Sequence, residues 1–370
     1  VKNITFNYMP IKDIDLVDFT QKLISEPEEV ISNFNLVYVS REKLSIARIK
    51  DDKGFLYLYH DKPLRNKKEL KRIDELVIPP AWEKVKIAPK SNAHLQAIGF
   101  DLKKRRQYRY HPIWLKIRNR TKFYKMNAFG ESLSAIRKRT EEDLNLEGWP
   151  KNKVLALIIK LMEETHIRVG NEQYAKRNKT YGLSTLRTKH LKGDDKKLRF
   201  EFTGKRGKKH KITLKNKKLV RLVNQCEEIP GWELFQFFDT DGKKTSVDSG
   251  MVNSYLHDIS GQLFTAKDFR TWAGTLIFFE ALMEFPKTND EKVVEKNILK
   301  AFDETARELG NTRNVCRKYY VHPYVIKSYK DKSIYPFFDE IDNVEKAPHY
   351  SPTELVLLKL IKQFKPLENI

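Results

Sequence analysis

The chain is short of cysteine, of long apolar runs and of acid. Its two cysteines in 370 residues, Cys226 and Cys316, form no C-x-x-C pair. That excludes a disulfide framework and a paired-cysteine metal site, and it fits a reduced, intracellular setting. The longest apolar stretches, near Val154–Ile159 and Trp272–Phe279, fall well short of the ~20 residues a membrane-spanning helix needs. Nine histidines give no H-E-x-x-H and no Cys/His grouping of the zinc type. Asp239-Thr-Asp241-Gly242 would place Phe237 at the first ligand position of a calcium loop, so it reads as a turn. The first thirty residues hold six acids and no basic-then-apolar leader pattern, so export is not expected. No internal repeat is visible.

Against 49 Asp+Glu stand 71 Lys+Arg, a formal net charge of +22, with 40% hydrophobic residues. The apolar content suffices for real cores, so a disordered chain is excluded despite 32% charged residues. A charge of this size calls for a polyanionic partner. Its distribution is sharper than its total. Lys103–Lys125 holds ten basic residues and no acid, interleaved with Tyr108, Tyr110, Trp114, Phe123 and Tyr124. Lys176–Val220 holds seventeen basic residues and three acids, and the rest of the chain is close to neutral. Basic residues mixed with aromatics and amides suit a phosphate track beside bases, whereas a membrane surface would favour a basic amphipathic helix. Nucleic acid is the expected partner, and no membrane.

Local patterning suggests an α+β chain. Residues 1–35 are acidic and read as a helical extension. Residues 36–125 read as a β-rich domain: Val37–Val39 and Phe55–Leu58 as short strands about a turn at Asp51–Gly54, Lys67–Glu75 as a helix, and Trp82–Ile87 and His94–Ile98 as strands. Residues 126–370 read as mostly helical, with helices over Phe129–Leu144, Val154–Ile167, Val252–His257 and Ala266–Met283, the last opened by a Thr265-x-x-Asp268 capping box. Leu198, Phe200 and Phe202 alternate, Gly204-Lys-Arg-Gly207 turns, and Ile212 and Leu214 alternate back: a β-hairpin with a basic tip. Lys215–Lys218 reads as a solvated strand edge.

Six separated motifs then carry a resemblance. They are Ile78-Pro-Pro-Ala-Trp82, Arg106-Gln-Tyr-Arg-Tyr-His-Pro112, Ile167-Arg-Val-Gly-Asn171, Phe202-Thr-Gly-Lys205, Lys267-Asp-Phe-Arg-Thr-Trp-Ala-Gly274, and Leu309-Gly-Asn-Thr312 followed by Cys316-Arg-Lys-Tyr-Tyr-Val-His-Pro323. In this order they resemble the type IB DNA topoisomerases of the poxvirus and bacterial group, closest to the bacterial branch, from about Leu36 to Lys330. The resemblance implies a β-rich DNA-clamp domain followed by a mostly helical catalytic domain with a small sheet, of the kind shared with tyrosine recombinases. It implies a monomer that encircles duplex DNA, in the cytoplasm or on the nucleoid. One strand is cut through a 3′-phosphotyrosyl link and rejoined after rotation, with no ATP and no obligatory Mg²⁺.

By the same resemblance, Tyr320 is the nucleophile and its neighbour Tyr319 a packing or DNA-contact residue. Arg168 and Arg270 are the arginines on the phosphate, Lys205 the general acid, and Asn311 the last member of the catalytic set. Arg106, Gln107, Tyr108, Arg109, Tyr110 and Arg206 are expected to contact DNA. The chemistry has its own logic. A planar guanidinium binds two non-bridging oxygens at once. A poor leaving oxygen needs a proton donor, and a phenol titrating near pH ~10 needs a cationic setting to attack at neutral pH. Poxvirus-type enzymes have histidine where Asn311 stands, and asparagine can donate a hydrogen bond but cannot hold a proton.

Each residue alone has an ordinary reading: Arg168 a surface cation, Lys205 a solvated turn, Arg270 an i,i+3 partner on its helix, Asn311 a helix end, Tyr320 a core aromatic. His111 and His166 read as packing or phosphate contacts, Phe278 and Phe279 as core. Two rival functions share part of the pattern. A tyrosine recombinase would carry a histidine close to Arg270, which Lys267-Asp-Phe-Arg-Thr-Trp272 lacks. A catalytically inactive DNA-binding protein would leave one of the five positions unfilled.

Overall fold

The computed structural model describes residues 22–23, 26–52, 54–193 and 197–365. It divides into two units, one through Lys125 together with residues from Lys365, the other from Met126 to Phe364.

The first unit is built on an antiparallel sheet of β1 (Ile46–Asp51), β2 (Gly54–Tyr59), β3 (Lys62–Pro63), β4 (Glu83–Ile87), β5 (Leu95–Phe100) and β6 (Arg106–Tyr110), in the order β3-β2-β1-β4-β5-β6. Ile46, Val85, Ile87 and Ala97 on one face meet Ile73 of the helix Lys67–Glu75, while Leu44, Ala88, Ala93 and Leu95 form a second cluster. Numbered along the chain, the helices of this unit are α1 (Pro27–Ile31), α2 (Lys67–Glu75) and the start of α3 (Pro112–Leu144). Asn66 caps α2 by accepting from the backbone N–H groups of Lys68 and Glu69.

Three expectations change here. Val37–Val39 forms no strand; Val37 makes only an isolated bridge to Ala93. The reading of residues 1–21 as helical lies outside the described residues. The later part of that segment is no appendage, since Leu23, Val30, Ile31 and Phe34 are buried against Trp114 and Ile117. Finally, the basic stretch is only partly β. Its strand ends at Tyr110, and Pro112 opens the 33-residue helix α3. Proline at a first helical position gives up an N–H that has no helical partner anyway. The residues that α3 buries there, Trp114, Ile117, Thr121 and Phe123, are few and include a hydroxyl, so the surrounding cations hide them in the sequence.

The second unit holds the rest of α3 with α4 (Lys151–Thr165), α5 (Glu172–Asn178), α6 (Lys217–Glu227), α7 (Ser249–Ser260), α8 (Ala266–Met283), α9 (Glu291–Glu308), α10 (Arg313–Tyr319), α11 (Pro323–Lys330), α12 (Tyr335–Glu340) and α13 (Pro352–Ile361). Its strands are β7 (Leu191–Gly193), β8 (Leu198–Thr203) and β9 (Lys209–Leu214), paired in that order, with a ribbon of β10 (Gln236–Phe238) and β11 (Lys244–Ser246). Helix α4 is the hub: Val154–Ile159 are buried without a break, and α4 packs on α6, α7 and α8. Phe278 and Phe279 of α8 are fully buried, and Phe278 lies 4.5 Å from Phe302 of α9, ring to ring. The Thr265–Asp268 capping box forms as expected. Lys217 does not edge a strand but opens α6, whose N-terminus the Asn216 side chain caps. Asp239 accepts from the N–H groups of Asp241 and Lys243, closing the β10–β11 turn.

Candidate active site

Four chain segments, distant in sequence, deliver the expected catalytic side chains within the second unit. Helix α4 stops at His166, which takes a left-handed conformation (φ 53°) and returns its N–H to Met162 O. The chain then runs out through Ile167 and Arg168, and Leu183 N–H holds the Arg168 carbonyl at 2.8 Å. Arg270 sits in the second turn of α8. Gly310, in the left-handed region at φ 60°, turns the chain after α9, and Asn311 N–H closes that turn on Ala306 O at 2.9 Å. Tyr320 follows α10, its N–H on Cys316 O at 2.9 Å and its carbonyl accepting from Thr275 Oγ1 of α8 at 3.0 Å.

These side chains converge. Arg270 is 4% exposed, donates through Nη1 to His166 O and through Nη2 to Leu309 O at 2.8 Å, and so is fixed by backbone carbonyls rather than by the i,i+3 pairing its helix suggested. Asp268 is engaged with Thr265 instead. The Arg270 guanidinium carbon lies 5.3 Å from the centre of the Tyr320 ring. Arg168 donates through Nη2 to Asn311 Oδ1. With the Asn311 oxygen occupied, its amide nitrogen is left as a buried donor without a hydrogen-bond partner among the protein groups, and so is Nε of Arg270. Nε of Arg270, whose guanidinium lies against the Tyr320 ring, and Nδ2 of Asn311, beside the Cys316 thiol, are thus donors that an acceptor from outside could use.

The electrostatics agree. Burial pushes the Tyr320 phenol up, but the charges of Arg270 and Arg168, with their hydrogen bonds, outweigh it and hold the phenol below its usual value of 10.0. Burial and the Arg168 charge lower Arg270 to about 10, which leaves it a cation at neutral pH. Burial raises the neighbouring Cys316 thiol to about 11, so it stays neutral. Tyr320 is buried at 9% exposure and Tyr319 is 41% exposed, which separates the two adjacent tyrosines physically.

In front of Arg168 and Arg270 opens a cleft of about 200 Å³, lined also by Lys205, Lys208, Arg307 and His210. Lys205 is exposed on the turn between β8 and β9, so it shares the cleft wall with both arginines from a separate element. Arg206, beside it, is exposed at φ 65°. Sequence reasoning passed over His210, Lys208 and Arg307. His210 had a signal: it occupies the inward-facing register of β9 with Ile212 and Leu214, where alternation leads one to expect an apolar residue.

The expected DNA contacts in the first unit lie on β6, at the edge of the sheet, and its pleat divides them. Tyr108 and Tyr110 pack on the Leu95 cluster, stacked 5.8 Å apart, and Arg118 stands over Tyr110 at 5.1 Å. Gln107 and Arg109 point to the other face, where Gln107 Nε2 donates to Asp101 Oδ2 at 3.0 Å and Arg109 Nη2 to Val77 O at 2.6 Å. Arg106 is exposed, over the Phe100 ring. Among the described residues there is no helix long and apolar enough to cross a membrane, and no cluster of three or more metal-ligating side chains.

Comparison with known proteins gives these observations a context. Residues 112–346 match the family described as eukaryotic DNA topoisomerase I, catalytic core, and residues 54–101 match the bacterial DNA topoisomerase IB N-terminal domain. The DNA topoisomerase 1B of Acanthamoeba polyphaga mimivirus is 34% identical over 328 residues, covering 86% of this chain and 95% of the viral protein. DNA topoisomerase 1 of rabbit fibroma virus is 26% identical over 64% of this chain and 73% of its own, and DNA topoisomerase 1B of vaccinia virus (strain Copenhagen) 22% identical over 70% and 78%. Because one family's catalytic core covers most of the chain and a relative aligns nearly end to end, this chain belongs to the type IB DNA topoisomerases and is an isomerase acting on DNA.

Proposed function

We propose that Tyr320, Arg168, Arg270, Asn311 and Lys205 carry out the strand cleavage and religation by which this topoisomerase relaxes supercoiled DNA. The observation that carries the assignment is Arg270, buried against the Tyr320 ring with Nε unpartnered among protein groups, together with Arg168, which is bonded to Asn311 and with Arg270 holds the Tyr320 phenol below its usual range; Asn311 Nδ2 is a further buried donor. A scissile phosphate supplies the acceptor oxygens that those donors lack. In cleavage, Tyr320 Oη bonds to phosphorus as the P–O5′ bond breaks. The Tyr320 proton leaves to solvent, the 3′ end stays on the tyrosine, and Lys205 gives a proton to the departing 5′-oxygen. Religation reverses each transfer. Charge that grows on the non-bridging oxygens meets guanidinium groups already fixed by His166 O, Leu309 O and Asn311, so little reorganisation accompanies the reaction.

Fixed cations of this kind supply the charge stabilisation that a divalent metal provides elsewhere, and exchange of one phosphodiester for another needs no ATP. Arg106, Gln107, Tyr108, Arg109, Tyr110 and Arg206 are proposed to track the duplex, with phosphates taken by the arginines and tyrosines and base edges by Gln107. A monomer closing on the duplex, at work in the cytoplasm or on the nucleoid, completes the proposal.

The test is plasmid relaxation without ATP or Mg²⁺, with trapping of the covalent adduct. Wild type relaxes and forms a 3′ adduct, whereas Tyr320→Phe does neither. An adduct in Tyr320→Phe refutes the nucleophile, and an absolute requirement for a divalent ion refutes the metal-free scheme.

A further inference from the structure

His210 occupies a position that the proposed chemistry does not use. Its ring stacks on Phe202 of the paired strand, 5.0 Å between centroids and 15° from parallel. One edge of the ring faces Gly204: a methyl group there would stand 2.7 Å from both His210 Cδ2 and Nε2. On another side, a methyl on Gly310 would stand 2.7 Å from Cε1. Gly204 immediately precedes Lys205, and Gly310 immediately precedes Asn311. The imidazole is therefore wedged between the turn that carries the proposed general acid and the turn that carries one of the proposed phosphate ligands.

The two glycines differ in a useful way. Gly310 has φ 60°, a conformation that favours glycine for backbone reasons alone. Gly204 has φ −96°, open to any residue. The next obstacle to a methyl on Gly204 is Lys208 O at 3.6 Å, an ordinary contact. Only the imidazole requires glycine there.

We propose that His210 is a positioning residue, a spacer that holds the Lys205 turn at a fixed separation from the Gly310–Asn311 turn and so aims Lys205 at the 5′-oxygen of a phosphate held by Arg168, Arg270 and Asn311. This rests on Lys205 acting as the general acid. The ring serves by its shape. Burial, then the charges of Arg168, Lys208 and Arg270, lower His210 to about 4, so at neutral pH it adds no charge and takes no proton. A loosened support 1 Å out of place is enough to weaken a proton transfer that depends on hydrogen-bond reach.

The experiment is single-turnover cleavage of two duplexes, one with the ordinary 5′-oxygen and one with a 5′-bridging sulfur, a leaving group that needs no proton. Lys205→Ala is expected to be slow on the oxygen substrate and close to wild type on the sulfur substrate. His210→Ala should show the same selectivity with a smaller loss, roughly 10- to 100-fold on oxygen, and an unchanged pH profile. Gly204→Ala should reproduce the His210→Ala defect by displacing the ring, and Gly204→Ala/His210→Ala should be no slower than His210→Ala, because methyl and ring act at one place; losses that multiply in the double variant overturn the wedge. Equal losses of His210→Ala on both substrates, while Lys205→Ala stays selective, overturn the positioning role. A shifted pH profile overturns the neutral-spacer role. Loss without selectivity in Lys205→Ala overturns the general-acid reading itself, and the positioning role with it. If His210→Ala unfolds below the assay temperature, Gly204→Ala decides: equal losses on both substrates, or no loss on either, overturn the wedge.

Discussion

Arg168 and Asn311, 143 positions apart, meet side chain to side chain, the guanidinium donating through Nη2 to the amide oxygen. The bond orients the amide. Because Oδ1 is committed to Arg168, Nδ2 is the atom left to donate, and under the proposed scheme asparagine serves as a neutral donor where a histidine could also exchange a proton.

The expected outcome for Asn311→Ala is a loss of roughly 10-fold in the cleavage rate, the worth of about one neutral hydrogen bond. Asn311→Asp should be far more damaging, by about 100-fold or more, since the new carboxylate would neutralise Arg168 and repel the phosphate. Single-turnover cleavage measures both. An Asp variant as active as the Ala variant would show that Asn311 does not face the phosphate.

Arg270→Lys keeps a charge but loses the planar fork that bonds His166 O and Leu309 O, and with it the Nε that the proposed scheme turns to the phosphate. A rate loss of about 100-fold or more is expected, in the range seen when one fixed oxyanion donor is removed. The pH dependence should move too. In wild type the phenol lies below 10.0 because the two arginines outweigh burial, so cleavage should rise with pH and level off below that value. With Arg270→Ala the burial effect is less opposed, and the rising limb should shift to higher pH. A profile that stays in place would detach Arg270 from Tyr320.

Behind α8, stability depends on Glu354. It is 4% exposed and accepts from Arg137 Nη1 at 2.8 Å and Nη2 at 2.7 Å, from Trp272 Nε1 at 3.0 Å and from Ser351 N–H at 3.0 Å. Burial raises its carboxyl, but the bonds and charge of Arg137 dominate and hold it below 4.5. Glu354→Ala leaves the Arg137 cation with Glu163 alone as its carboxylate, at 2.8 Å, removes the acceptor of Trp272 Nε1, and should cost about 1–3 kcal/mol in denaturant unfolding. As the folded carboxyl is depressed, its contribution is complete above the unfolded value and is lost as pH falls through the folded one. The wild-type excess over Glu354→Ala should therefore shrink in acid, and a constant excess would contradict this account.

What could be read in advance followed range. Thr265 and Asp268 are three residues apart and close their capping box locally; the β8–β9 hairpin needs only alternation and a turn, and both were legible. Helix α3 was missed over Pro112–Lys125 because its cations and aromatics obscure the few residues it buries there. The division of β6 into a Tyr108/Tyr110 face and a Gln107/Arg109 face was implicit in the period-2 pleat, but which face packs on the core depends on strand neighbours. The partners of Arg270 could not be read, because they are backbone carbonyls at His166 and Leu309, and a carbonyl carries no mark of residue type.

The sequence by itself determined that the cations lie in two stretches suited to a polyanion, and which residue types, in which order, match those of the type IB DNA topoisomerases. Composition and motif order are properties of the chain and survive without coordinates. Only the tertiary structure decided that Asn311 is turned by Arg168, that Arg270 is buried against Tyr320 with Nε unpartnered, and that His210 stands between two glycines. Each of these depends on close contact between segments far apart in sequence, and such contacts are set by how the helices and the hairpin pack around α4.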